Sequence, residues 1–173
     1  MSPKHCVTGL RKGVDVLNGA LAAEATGGSW IGDAPHFSSL STDTREIKSG
    51  QWFLALKGER FDAHDHVEQA IALGSSAVVV SQAAQVACPQ LVVPDTRVAL
   101  GQLAAAHRAG WSGFSTAVTG SCGKTTTKRL LAAGLRRGGL GVESAKSFNN
   151  DIGVPRTLLE LTQEHCWLAA EVG

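Results

Sequence analysis

No long run of like charge occurs anywhere in the chain. Sixteen lysines and arginines almost balance 15 aspartates and glutamates, leaving a formal net charge of +1. Without a basic stripe there is no electrostatic footprint for nucleic acid or for an anionic membrane surface. Cysteine is sparse too. Cys6, Cys88, Cys122 and Cys166 lie far apart, with no CxxC pair and no Cys/His cluster at zinc spacing. Reduced thiols in a cytoplasmic protein are the simplest reading. Long unbroken apolar runs are also missing. Ala72 to Pro94 carries no charge and has the length to span a bilayer. However, Gly74-Ser75-Ser76, Ser81-Gln82, Gln85 and Pro89-Gln90 divide it into two short buried strands, Ala77–Val80 and Leu91–Val93. Near the N-terminus, Lys4, Arg11 and Lys12 precede an apolar stretch that Asp15 and Asn18 interrupt, unlike a secretory leader. There is no internal repeat and no low-complexity segment. What is present is enough apolar residue, 43% of the 173, to build a packed core.

Helical spacing runs from Val14 to Ala23 and ends at Gly27-Gly28. Ser38 to Arg45 is polar and turn-like. Trp52 to Leu56 is a short apolar run with β character, closed by Lys57-Gly58-Glu59-Arg60. Asp65 to Leu73 reads as a helix stopped by Gly74. Asp95 can cap a helix starting near Thr96 and stopping at Gly110. Ser112-Gly113 reads as a joint between domains. A strand Ser115–Val118, a glycine turn, a helix from Lys124 to about Arg137 and a strand near Leu140–Glu143 follow. A short helix from Pro155 to Leu161 and a buried strand Cys166–Val172 complete the chain. Strands alternating with helices imply an α/β fold with parallel sheets. The expected organisation is a small α/β domain over 1–113, followed over 114–173 by the start of a P-loop-type parallel-sheet domain.

The strongest chemical signal is Thr119-Gly120-Ser121-Cys122-Gly123-Lys124-Thr125-Thr126, between a predicted strand and a predicted helix. A phosphate loop needs that setting. Gly120 and Gly123 let backbone wrap close to phosphate oxygens, and free N–H groups at the helix start point at the anion. Lys124 can neutralise β- and γ-phosphate charge, and the Thr125 hydroxyl can ligate Mg²⁺. The common pattern has a further Gly where Val118 stands, so G-x-x-G-K-T alone also fits a glycine turn capped by a Lys-Thr helix start. The strand–turn–helix context favours nucleotide.

Gly120 to Thr126 resembles the shortened phosphate loop of the Mur ligases and their folylpolyglutamate synthase relatives. Ser41-Thr42-Asp43-Thr44-Arg45 looks like the S-x-D-[ST]-R segment of the Mur N-terminal domain. The stretches from Phe53 to Asp65 and from Phe148 to Leu159, which includes Asn149-Asn150-Asp151-Ile152-Gly153-Val154-Pro155, are similar to the branch of the family that adds D-alanyl-D-alanine. The resemblance covers about Ser39 to the last residue. It implies an N-terminal domain holding UDP-N-acetylmuramoyl-tripeptide and a central domain holding ATP and Mg²⁺ in a cytoplasmic, monomeric ligase. The tripeptide carboxylate would be phosphorylated to an acyl phosphate, which the D-alanyl-D-alanine amine then attacks. The resemblance further implies more of the central domain and a third domain beyond Gly173, so the chain is expected to be part of a longer protein. Two other readings stay open: another ligase of the superfamily (diaminopimelate- or lysine-adding, or folylpolyglutamate synthase), and a non-catalytic UDP-sugar-binding fragment.

Four further positions are weighed beside the loop. Glu171, at the C-terminal end of a parallel strand, either faces water or offers a hard oxygen to Mg²⁺ at a crevice. The resemblance favours the metal role, so Thr125 and Glu171 are the expected metal ligands and Lys124 the expected catalytic cation. Asn149 and Asn150 read as a polar turn, or, by the resemblance, as substrate contacts near the γ-phosphate. Arg45 and Lys57 read as solvated surface charges, or as partners for a diphosphate or a peptide carboxylate. His64 and His66 flank Asp65 and read as a solvated cap with no chemical role.

Overall fold

The computed structural model describes residues 17–58, 61–145 and 148–173. Cys6, the N-terminal stretch with Lys4, Arg11 and Lys12, and residues 14–16 of the helix expected from Val14 lie outside the described residues. The described chain forms two compact units, Leu17–Ala106 and His107–Gly173.

The first unit contains α1 (Gly19–Thr26), β1 (Ser29–Ile31), β2 (Leu40–Ser41), β3 (Trp52–Leu54), α2 (Val67–Ala72), β4 (Ala77–Val80) and β5 (Gln90–Val92), and it leads into α3 (Thr96–Ala109). Its sheet has the order β1-β5-β4-β3-β2. β2 to β5 are parallel, and β1 runs antiparallel to β5. The centre is β4, where Val78, Val79 and Val80 are all fully buried. Three consecutive β-branched residues suit a strand covered on both faces, and each contributes roughly 1.5–3 kcal/mol by leaving water. The Asp95 cap forms as expected: its carboxylate accepts from Arg97 N at 2.7 Å and Val98 N at 2.9 Å. Three elements differ from expectation. The first helix starts at Gly19 rather than Val14, because Asn18 caps it, its Oδ1 accepting from Leu21 N at 2.9 Å. Leu40–Ser41 is a two-residue strand rather than part of a turn, followed by a 3₁₀ turn at Thr44–Glu46. Ser29–Ile31 is an edge strand that no local pattern announces.

The second unit contains β6 (Phe114–Val118), α4 (Lys124–Leu135), β7 (Gly141–Glu143), α5 (Gly153–Leu159) and β8 (Trp167–Glu171). The sheet is parallel, with the order β6-β8-β7, so the last strand enters between the other two. All five residues of β8 are buried. Side chains alternate across a strand, and the packing follows that period. Leu168 and Ala170 join Trp111, Val142 and Leu161 on one face. Trp167 and Ala169 meet Ala132 of α4 on the other. Glu171 shares the parity of Trp167 and Ala169, which places it on the α4 face. Cys166, expected inside this strand, precedes it and is half-buried.

Candidate functional site

The segment Thr119–Gly123 carries the chain from the end of β6 into α4. Gly120 has φ 141° and Gly123 φ 75°. A Cβ at either position would meet nothing within 4 Å, so backbone conformation, not space, demands glycine here. The loop is open: Gly120, Ser121, Cys122, Gly123 and Thr126 are exposed, while Lys124 and Thr125 are half-buried. Thr127 N donates to the Gly123 carbonyl at 2.9 Å and so makes the first intrahelical bond. The preceding amides have no partner in the helix ladder. The Lys124 ammonium folds back over the loop and donates to the Gly120 carbonyl at 2.6 Å.

Thr125, in the first turn of α4, reaches the acid at the end of β8. Its hydroxyl donates to Glu171 Oε2 at 2.8 Å, a contact between residues 46 apart that follows from the parity of Glu171. Asn149 Nδ2 approaches the other oxygen, Oε1, at 3.4 Å. The Glu171 carboxyl is held below its ordinary range, first by the Thr125 hydroxyl and also by Asn149 and the charges of Lys128 and Lys124, against the opposing effect of burial. It is therefore ionised at neutral pH.

The two asparagines divide their work. Asn150 Oδ1 accepts from Ile152 N at 3.2 Å and Gly153 N at 2.8 Å, fixing the start of α5. Asn149 alone turns toward Glu171. Behind Glu171 lies a residue that the sequence reading passed over. Lys128 is only 2% exposed. It donates to the Ser144 carbonyl at 2.5 Å and lies 3.3 Å from the Ser144 hydroxyl. Its position four residues after Lys124, on the same helix face, was the available signal.

A triphosphate and a hard cation both fit these residues. The loop offers open backbone amides at a helix start and an ammonium within reach. Thr125 and Glu171 supply two oxygens. Among the described residues no group of three or more His, Cys, Asp or Glu is placed to hold a metal ion. Remaining coordination would therefore fall to phosphate oxygens and water, the usual habit of Mg²⁺.

In the first unit, Arg45 and Lys57 line different cavities. Arg45 borders one of about 500 Å³, with Asp43, Phe61 and His66. Its guanidinium is paired with Asp43, Nη2 to Oδ2 at 2.5 Å, and that bond raises its pKa further. Phe61, 57% exposed, stacks on His66 with ring centroids 5.5 Å apart. Lys57 borders a second cavity of about 270 Å³ and pairs with Asp62 Oδ2 at 3.2 Å. His64 is not a solvated cap. Its ring spans Asp62 Oδ1, 2.5 Å from Nδ1, and Ser81 N, which donates to Nε2 at 2.9 Å. That donation makes Nε2 an acceptor and leaves Nδ1–H to donate to Asp62.

Two family descriptions match the chain: "Mur ligase family, catalytic domain" over residues 36–108 and "Mur ligase middle domain" over 118–173. A UDP-N-acetylmuramoyl-tripeptide--D-alanyl-D-alanine ligase of Escherichia coli K12 is 45% identical over 160 residues, covering 92% of this chain and 33% of that protein. The ligase of the same name from Haemophilus influenzae is 46% identical over 139 residues, covering 78% and 30%. The chain thus spans about a third of the length of these relatives. Among solved structures, a MurF crystal structure from Acinetobacter baumannii superposes with TM-score 0.80 at 41% identity, covering 92% of this chain and 37% of that one. A MurF ligase from Thermotoga maritima in complex with ADP superposes at 0.67 with 28% identity, covering 77% and 31%.

Proposed function

From its place in the Mur ligase family, to which the chain belongs, we propose that it serves an ATP-dependent, cytoplasmic ligase of peptidoglycan precursor synthesis. The reaction joins the amine of D-alanyl-D-alanine to the free carboxylate of UDP-N-acetylmuramoyl-tripeptide, with an acyl phosphate between. The observation that carries this reading is the Thr125–Glu171 contact at 2.8 Å, which brings the loop's hydroxyl and an ionised carboxylate to one point. The identities of 45% and 46% to ligases of that specificity support the choice of substrates.

In this reading residues 114–173 hold the nucleotide. Backbone amides from Gly120 to Thr126 cradle phosphate oxygens. The Lys124 ammonium exchanges the Gly120 carbonyl for the β- and γ-phosphates and neutralises charge as the phosphoryl moves. Bound Mg²⁺ supplies electrostatic stabilisation of that same charge. The Thr125 hydroxyl and the Glu171 carboxylate hold it. Asn149, bonded to Glu171, orients that carboxylate and lies where a substrate carboxylate can be met, while Asn150 keeps the turn in shape. Residues 1–113 hold the UDP-sugar peptide. There the Phe61–His66 stack suits a planar base, and Arg45, released by Asp43, suits a diphosphate or carboxylate. Lys57, held by Asp62, is the weaker anion partner of the two.

The test is ligation by the enzyme carrying this chain, given UDP-N-acetylmuramoyl-tripeptide and ATP. Phosphate release that depends on D-alanyl-D-alanine supports the proposal. Release that depends instead on diaminopimelate, lysine or glutamate with the matching shorter precursor overturns the substrate assignment and keeps the family chemistry.

A further inference from the structure

Lys128 has no task in the reaction just described, yet it is a buried cation whose hydrogen bonds go to two neutral oxygens of a single residue, Ser144. Removing an ammonium from water is costly unless the site uses it. The use is legible in the β7–β8 ladder. Gly141, Val142 and Glu143 pair with Trp167, Leu168 and Ala169, and Ser144 N continues the ladder by donating to the Ala169 carbonyl at 3.0 Å. The next rung of a parallel pair would have Glu171 N donate to the Ser144 carbonyl. That carbonyl is instead held by Lys128 at 2.5 Å. Glu171 N donates to the Ser144 hydroxyl at 2.9 Å. The side chain of Ser144 has replaced its own carbonyl in the ladder. Lys128 turns the carbonyl aside, and the hydroxyl anchors the backbone of Glu171 from the β7 side.

We propose that Lys128 and Ser144 form a buried brace that positions Glu171 for the cation it shares with Thr125. Both are positioning residues: neither touches substrate. The proposal rests on the reading of Thr125 and Glu171 as Mg²⁺ ligands. It assigns to Ser144 a role that only a hydroxyl at that position can fill. Groups that orient metal ligands typically change metal affinity by about 10–100-fold when removed, and the brace should act near the lower end because it holds backbone.

Two measurements test it on the protein carrying this chain, with Ser144→Ala, Lys128→Met and the reference variant Glu171→Gln. The first is the Mg²⁺ concentration that half-saturates binding of a fluorescent ATP analogue, alongside analogue affinity without Mg²⁺. Ser144→Ala and Lys128→Met are expected to raise the Mg²⁺ requirement about tenfold, as Glu171→Gln does, and to leave Mg²⁺-free affinity within about twofold. A merely structural tie would lower thermal stability and leave the Mg²⁺ requirement unchanged. That result overturns the proposal, as does a lowered requirement. If Glu171→Gln itself has no effect, the metal reading has failed, not the brace. The second measurement needs no ligand. Amide exchange at Glu171 should accelerate about tenfold in Ser144→Ala, the equivalent of one lost hydrogen bond. Unchanged protection overturns the brace, even if Lys128→Met fails to fold.

Discussion

Lys124→Ala separates the chemistry of the phosphate loop from its fold. The ammonium makes one hydrogen bond, to the Gly120 carbonyl at 2.6 Å, in an exposed setting. A hydrogen bond to a charged group contributes about 1.5–3 kcal/mol at best, and exposure reduces this to under about 1 kcal/mol. That loss should lower Tm by no more than about 3 °C. In the proposed phosphoryl transfer the same ammonium would neutralise developing charge, and losing a comparable donor costs about 3–4 kcal/mol of transition-state stabilisation. The rate should therefore fall about 10²–10³-fold. The assay is acceptor-dependent phosphate release from ATP by the enzyme carrying this chain, with melting followed on the same preparation. A rate within about threefold of the unmodified enzyme would refute the phosphate-loop assignment. A collapse of Tm alongside the rate would show that the loop's role is structural.

Glu171→Gln keeps the shape that meets Thr125 and removes the charge a hard cation needs. It should raise the Mg²⁺ requirement of activity while leaving UDP-sugar binding near normal, and an unchanged Mg²⁺ dependence would return Glu171 to a structural role. Cys122 is exposed in the loop, whereas Cys88 and Cys166 are half-buried and burial pushes the Cys88 thiol up. Iodoacetamide should modify Cys122 first among these three, and Mg-ATP should slow the reaction. Equal labelling with and without nucleotide would count against the loop as its site. The Asp62 carboxyl is lowered from 3.8 to about 2, first by the His64 backbone N–H and then by the His64 ring. A depressed carboxylate contributes stability above its unfolded pKa and loses it as pH falls toward the folded one. Asp62→Asn should therefore be less stable than the unmodified chain at neutral pH, by urea titration, with the gap closing from pH 3.8 down to about 2. A gap that stays constant across that window would assign the loss to something other than the charge.

The loop and the acid were legible in the sequence because each is a local pattern. Strand, glycines and Lys-Thr occur within 13 consecutive residues, 114–126, and Glu171 ends an apolar run that reads as a parallel strand. The brace was not legible in the same way. A lysine on α4 reads as solvated face until β7 is known to end beside it, and Ser144 looks like any serine after a strand. The strands Ser29–Ile31 and Leu40–Ser41 are too short to carry a pattern. Both exist because β5 and β3 offer them partners, at Gln90–Val92 and at Trp52–Phe53. His64 followed the same rule: its acceptor and donor lie at Asp62 and Ser81, and only the second is distant in sequence.

The fold-back of Lys124 onto Gly120 has one more consequence. The loop carries its own competitor for the ammonium, a neutral carbonyl rather than an anion. Dissolved salt screens the attraction between lysine and phosphate across a Debye length of about 8 Å at physiological strength. It leaves a contact between an ammonium and an adjacent carbonyl almost untouched. Ionic strength therefore tilts the exchange toward the self-satisfied loop, and a nucleotide with fewer phosphate charges has less with which to reverse it. If the loop holds nucleotide as proposed, the number of phosphate charges is one property by which it would discriminate.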